Sequence, residues 1–426
     1  MKDEHTRFAL TRRRLLQGGA AAAAVAASGT LLPPTRALGA GSARKLVVIV
    51  NSGGWDTTYA LDPKPGLATV DAPDGDVQMF GGLPIYTDPS RPAVSEFFTR
   101  YADRVALING LQVRSFVHPD CLKRILTGSP SETTADMAAV TAFEHAADLP
   151  VPYLALGGQA RSGPLAAITG RTGTTHQLAA LVDPAQAYGG DGLIPDRGVD
   201  PSVEEAALVR DYLEASAERL RATRGQRGYN QRRVQDFISS LTRAQQLVGF
   251  SEENDLGERN YTLDLDFQIP LAVRALKDGL SHSVLLQTDN WDTHQNNAQQ
   301  SMLHESLFGS LSTLVQAFDD AGTFDDTLFV VLSEMGRTPR LNSDGGKDHW
   351  PVTSAMIFGG GVRGGSVFGA SSDELDALSV DLSTGEADAG GKQLAAANFV
   401  AGIYSALGVD PEPHLPGVQP FDAFCA

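Results

Sequence analysis

Cysteine is nearly missing: Cys121 and Cys425 are the two in 426 residues. That excludes a disulfide-stapled scaffold and any thiolate-based zinc or cluster site. One bridge between the two could form in an oxidising compartment, but nothing in the sequence requires it. Basic residues are in deficit, 34 Lys and Arg against 51 Asp and Glu, for a formal net charge of −17. Residues 1–40 contribute +4 to that total, so −21 rests on the remainder. Such a surface repels phosphate backbones and anionic lipid headgroups, so neither nucleic acid nor a membrane surface is expected as a partner. An anionic substrate would need local cations, metal or Arg, to reverse the field at its site. No internal repeat or heptad run is present, and no later stretch has the roughly 20 strongly apolar residues of a membrane span. With 42% hydrophobic and 20% charged residues, the composition is globular.

The N-terminus carries an address. TRRRLLQ (Thr11–Gln17) precedes GGAAAAAVAASGTLL and a run of small residues around Ala37–Ala40. Paired arginines before a weakly apolar, Ala-rich stretch form the twin-arginine export pattern, with cleavage expected near Gly39 or Ala40. The chain is therefore read as a signal peptide, 1–40, and one domain, 41–426, that works in the periplasm or outside the cell. The stretch is too weakly apolar for a stable membrane span, and no Cys sits there for lipid attachment. The route generally carries folded proteins, often with a cofactor already inserted.

KLVVIV (Lys45–Val50), RVALING (Arg104–Gly110), SHSVLLQ (Ser281–Gln287), TLFVVLS (Thr327–Ser333) and SAMIFGGG (Ser354–Gly361) are short apolar runs closed by polar or Gly-rich residues. That is the look of buried parallel strands. Between the third and fourth, Met302, Leu303, Leu307, Leu311, Leu314, Val315 and Phe318 keep one apolar helical face. Alternating strands and helices predict a three-layer α/β/α sandwich around a mainly parallel sheet. Residues 183–260 read as an insertion, a Gly/Pro/Asp-rich loop followed by a helical hairpin. Ser202 and Glu205 make a capping box at its start. The hairpin (202–250), with its Arg-rich turn, is either a solvated arm or a place for a protein partner.

In an open parallel sheet, ligands gather where strands end at their carboxyl edge. Polar clusters here follow the strands in order. Asn51, Ser52 and Asp56 follow the first; Asp289, Asp292 and His294 the third; Ser333, Glu334 and Arg337 the fourth; a later loop adds Asp344, Lys347, Asp348 and His349. Imidazole and carboxylate without thiolate suit one divalent Zn, Mn, Fe, Ca or Mg ion. Asp292 and His294, two residues apart in an extended segment, point the same way. His118-Pro119 opens a helix ending at Thr127-Gly128, which makes His118 an N-cap-like residue whose imidazole the helix end keeps neutral. Cys121, one turn on, reads as core.

The export signal, VVIVNSGGWD, AVRALKDGLSHSVLLQTDNWDTHQNN and LSEMGRTPRLNSDGGKDHWP together resemble the domain-of-unknown-function family 1501 (DUF1501), which is related to the alkaline phosphatase and sulfatase superfamily. The resemblance implies an alkaline-phosphatase-like sandwich and a metal-dependent hydrolase of phosphate or sulfate esters, with a small anionic ester or a glycan as substrate. Position by position, Asp56 stands in for a first-strand metal carboxylate, because Asn51 directly follows the strand. Asp292 and His294 match a mid-chain metal pair, and His349 a late metal histidine. Glu334-Met335 falls where the superfamily has an Asp-His pair. One ion is thus expected among Asp56, Asp292, His294, Glu334, Asp348 and His349. His118 falls at the nucleophile position, with Ser115 as the weaker alternative, and Arg337 would steady developing negative charge. The departures leave a second reading open, an inactive exported binding or assembly protein on a hydrolase scaffold. A third, a redox protein loaded before export, lacks any haem, flavin or cluster motif.

Overall fold

The computed structural model describes residues 44–172, 178, 202–253 and 263–426. The segment read as an export signal and the loop before the hairpin lie outside the described residues. In chain order the elements are β1 (Lys45–Asn51), the hairpin β2 and β3 (Asp76–Phe80, Leu83–Thr87), α1 (Pro92–Tyr101), β4 (Val105–Gln112), α2 (His118–Thr127) and α3 (Met137–Ala146). Next come β5 (Tyr153–Ala155), β6 (Thr169–Arg171), α4 (Val203–Thr223), α5 (Gly228–Glu253), α6 (Leu265–Lys277), β7 (Ser283–Thr288) and α7 (Gln299–Asp320). The last are β8 (Thr327–Leu332), the short pair β9 and β10 (Gly336–Arg337, His349–Trp350), β11 (Val352–Gly359), β12 (Ser366–Gly369) and α8 (Ala396–Ala406).

Eight strands form the main sheet in the order β12-β4-β11-β8-β1-β7-β5-β6. All its pairings are parallel except those of β11, which runs against both neighbours, β4 and β8. Successive residues of β1 point to opposite faces, and both faces are covered. Leu46, Val48 and Val50 pack with Ile125 of α2, Val140 of α3 and Phe399 of α8. Val47 and Ile49 pack with Phe97 of α1, Ile269 of α6 and Leu311 of α7. Double-sided burial explains why the strand reads as a continuous apolar run instead of an alternating one. The result is the three-layer α/β/α sandwich with a mainly parallel sheet.

The α7 face holds from Leu307 to Phe318, whereas Met302 is exposed. At the hairpin, Ser202 Oγ accepts from the Glu205 N–H and the Glu205 carboxylate accepts from the Ser202 N–H, the reciprocal box expected from the sequence. Among the described residues no helix is long and apolar enough to cross a membrane. Cys121 and Cys425 are both free, and burial pushes the Cys121 thiol up to about 11. Cys121 belongs to the core.

Because β4, β8, β1 and β7 run the same way, their carboxyl ends share one edge. Antiparallel β11 begins at that edge, so the loop from β8 to β11 lies across it. Gly53 lets the loops after β1 and β7 touch. Its φ is +125°, and a Cβ there would overlap the backbone of Trp291 and Asp292.

Candidate metal centre

Four segments reach this edge: residues 113–118 after β4, 289–298 after β7, 333–337 after β8, and 338–351 before β11. They bring three imidazoles around one carboxylate. His294 Nε2 lies 3.1 Å and His349 Nε2 3.3 Å from Asp292 Oδ1. His118 Nε2 lies 3.5 Å from Asp292 Oδ2. His118, Asp292 and His349 offer ligand atoms all within 4.8 Å of one another.

The far side of each ring is committed to an oxygen. His349 Nδ1 lies 2.6 Å from the Phe116 carbonyl, His294 Nδ1 3.0 Å from Asp348 Oδ1, and His118 Nδ1 2.8 Å from Glu334 Oε1. Carbonyl and carboxylate oxygens only accept, so each Nδ1 must carry the proton and donate. In the neutral ring, the Nε2 lone pair then faces inward. The consequence is sharpest where His294 Nε2 and His349 Nε2 stand 2.9 Å apart. Two facing lone pairs at that distance repel unless a cation, proton or metal ion, sits between them. Three inward imidazole nitrogens with a carboxylate form a donor set for a divalent ion, and the oxygens behind them are the outer partners that fix ring orientation in metal sites.

Electrostatics follow the geometry. Burial opposes ionisation of Asp292, but Arg337, His118 and His294 outweigh it and hold the carboxyl below its ordinary range. Hydrogen bonds from Asn342 and His294 do the same for Asp348. The hydrogen bond to Glu334, against partial burial, raises His118 above the usual imidazole value. That reverses the expectation of a helix end keeping His118 neutral. The N-cap is Val117, and His118 is the first helical residue.

The structure redistributes several residues singled out in the sequence. Asp292, His294 and His349 meet, joined by His118. Glu334 and Asp348 lie behind the rings, on Nδ1, so they orient the imidazoles instead of facing the centre of the cluster. Glu334 is itself fixed by the Gly53 N–H at 2.9 Å. Asp56 is not a ligand: the cation it holds is the Lys347 ammonium, 2.7 Å away, with both side chains buried. Its remaining partners are the Thr58 N–H and Oγ and Asn297 Nδ2. Arg337 also departs from its expected role. Its guanidinium is buried and spends its donors on Asp292 Oδ1 and on the carbonyls of Gly53, Gly54, Trp291 and Lys347. It ties the loops together. Ser115 Oγ accepts from the Val117 N–H, and Ser333 Oγ donates to the Asn51 carbonyl. The Ser333 proton is thereby committed to backbone, whereas Ser115 lies off the ring cluster in the segment before His118.

Three contributors carried no sequence signal of their role. The Phe116 contact is made by backbone, which residue type does not encode. Asn342, which donates to Asp348 Oδ1 and the His294 carbonyl, looks like an ordinary turn residue. Lys347 stood among the polar residues of its loop, with nothing in the sequence to pair it with Asp56.

No curated protein matches this chain. Solved structures overlap it loosely. Ps i-CgsB in complex with k-i-k-neocarrahexaose is 11% identical, with a TM-score of 0.44 over 90% of this chain and 76% of that one. A protein in the alkaline phosphatase superfamily from Vibrio parahaemolyticus is 10% identical, with a TM-score of 0.38 over 96% and 78%. The lipoteichoic acid synthase LtaP from Listeria monocytogenes is 9% identical, with a TM-score of 0.37 over 94% and 79%. These overlaps are too loose to transfer an activity. The family described as Protein of unknown function (DUF1501) matches residues 43–420, most of the chain, and the protein belongs to that family.

Proposed function

We propose that this protein is an exported hydrolase of phosphate or sulfate esters that works with one divalent metal ion. The observation that carries the reading is the 2.9 Å approach of two imidazole nitrogens whose opposite nitrogens are both donors. His118, His294, His349 and Asp292 would hold the ion, a set of borderline nitrogen and hard oxygen donors suited to Zn, Mn or Fe. When bound, the ion supplies positive charge to a phosphoryl or sulfuryl oxygen and acidifies water. Glu334, Asp348 and the Phe116 carbonyl keep the three rings pointed inward. Arg337 cancels part of the Asp292 charge and locks its carboxylate. With the Ser333 proton on the Asn51 carbonyl and His118 held at both nitrogens, water activated at the ion is assigned the attack. The ion also answers the acidic surface, since it reverses the local field for an anionic substrate.

The test uses purified full-length protein, stripped with a chelator and reloaded with Zn, Mn or Fe, on p-nitrophenyl phosphate and p-nitrophenyl sulfate. Hydrolysis should return with metal and fall in His118→Ala and His294→Ala. Absence of turnover with every metal, together with unchanged metal content in both variants, would overturn the proposal. A second reading, an inactive exported binding or assembly protein that uses the cluster or the 202–250 hairpin for a partner, draws on one observation. Arg337 and Ser333 are tied into the loops by hydrogen bonds to backbone carbonyls. Metal binding without turnover would favour it.

A further inference from the structure

Residues 113–118 lead from β4 into the cluster. Their backbone is pinned at both ends: the Val113 N–H donates to the Pro351 carbonyl at 2.7 Å, and the Phe116 carbonyl receives His349 Nδ1. Their side chains do the opposite. Phe116 is 56% and Val117 61% exposed, although His118, the next residue, is a ligand-type group. Arg114 is exposed, has φ +62°, and makes no ion pair or hydrogen bond among the described residues. A left-handed arginine is unfavourable backbone with no local contact to compensate it. Two residues of chain keep the Arg114 Cα within about 7 Å of the Phe116 Cα. On the other flank, Leu341 is 47% exposed beside Asn342, which holds Asp348 and the His294 carbonyl.

The segment that delivers His118 and the Phe116 carbonyl to the cluster thus also carries exposed apolar surface and a cation with no hydrogen bond or ion pair among the described residues. The cluster itself supplies carboxylates, and the buried Arg337 guanidinium donates to Asp292 and to loop carbonyls. Nothing in the charged centre calls for an aromatic ring at its rim. A ring-bearing substrate does, because its apolar face can lie on a phenyl group while a substituent reaches inward. A free arginine at the same rim suits a second negative group, which the divalent ion would not reach.

We infer that the 113–118 segment is a recognition strap for a sugar ring that carries a second anionic substituent, with Phe116 as platform and Arg114 as anion clamp. The inference rests on the metal-site reading above and names the substrate class of that site. Calorimetric titration of metal-loaded full-length protein tests it with inorganic phosphate, glucose 6-phosphate and glucose 1,6-bisphosphate. Wild type should bind the sugar monophosphate about three- to fivefold more tightly than phosphate, the size expected of one aromatic contact. It should bind the bisphosphate a further three- to fivefold more tightly, roughly the worth of one exposed charge pair. Arg114→Gln should abolish the second ratio and keep the first; Phe116→Ala should reduce the first. Arg114→Gly, which accepts the positive φ, separates loss of charge from loss of backbone strain. Equal affinity for the two sugar phosphates in wild type, or an unchanged second ratio in Arg114→Gln, would overturn the inference while leaving the metal-site reading standing. Failure of phosphate itself to bind would bring down both.

Discussion

Lys347→Met removes the ammonium from the buried pair with Asp56 and leaves a carboxylate in the interior without its countercharge. The pair is 2.7 Å apart, and the exposure of its side chains is 0% for Lys347 and 1% for Asp56. Breaking a buried pair from one side costs about 3–5 kcal/mol, because the remaining charge stays desolvated. Asp56 keeps three donors, the Thr58 N–H at 3.1 Å, Thr58 Oγ at 2.6 Å and Asn297 Nδ2 at 2.8 Å. These place the cost at the lower end, about 3 kcal/mol. Urea unfolding at pH 7 should show that loss. The double variant Asp56→Asn/Lys347→Met removes both charges and should recover most of it. Metal affinity should also fall in the single variant. Lys347 directly precedes Asp348 and His349, and its N–H donates to the Thr293 carbonyl beside His294. A single variant within about 1 kcal/mol of wild type, or a double variant no better than the single, would refute the pairing as the anchor of this loop.

Three further outcomes are expected. Glu334→Gln replaces the acceptor behind His118 and should weaken metal binding about 10- to 100-fold in a chelator competition, with little change in unfolding. Burial lowers the His304 pKa from its ordinary 6.5 to about 4. The unfolded chain therefore takes up that proton first; the stabilising effect is complete above pH 6.5 and is lost as pH falls toward 4. The loss approaches about 3 kcal/mol in urea titrations across that window, and His304→Gln should flatten that part of the profile. Gly346→Ala places a Cβ on the His294 carbonyl, so the metal-site loop should undock, seen as loss of metal retention and a lower Tm.

The architecture was legible because double-sided burial writes itself into a strand as an unbroken apolar run. Lys45–Val50 and Thr327–Ser333 were found this way within a residue of their ends. The order of polar clusters after those strands points Asp292, His294 and His349 to one edge, where the fold brings them together. The distinction between facing a metal and backing a ligand was not legible. Asp348 and Glu334 carry the same carboxylate as Asp292, and only the ring nitrogen they meet separates their roles. Asp56 misled for a related reason: a carboxylate after a first strand suits a metal or an ammonium equally, and the ammonium came from a loop nearly 300 residues on. Arg337 followed the same pattern, since an arginine at a strand end gives no sign of whether its donors meet substrate or carbonyls.

Metal titration of chelator-stripped full-length protein, run beside His349→Ala, tests the centre most directly. One divalent ion per chain in wild type, with binding at least about 100-fold weaker in the variant, is the expected result. A wild-type protein that takes up no ion, or a variant that binds as tightly as wild type, would show that the inward-facing imidazoles share a proton and nothing more.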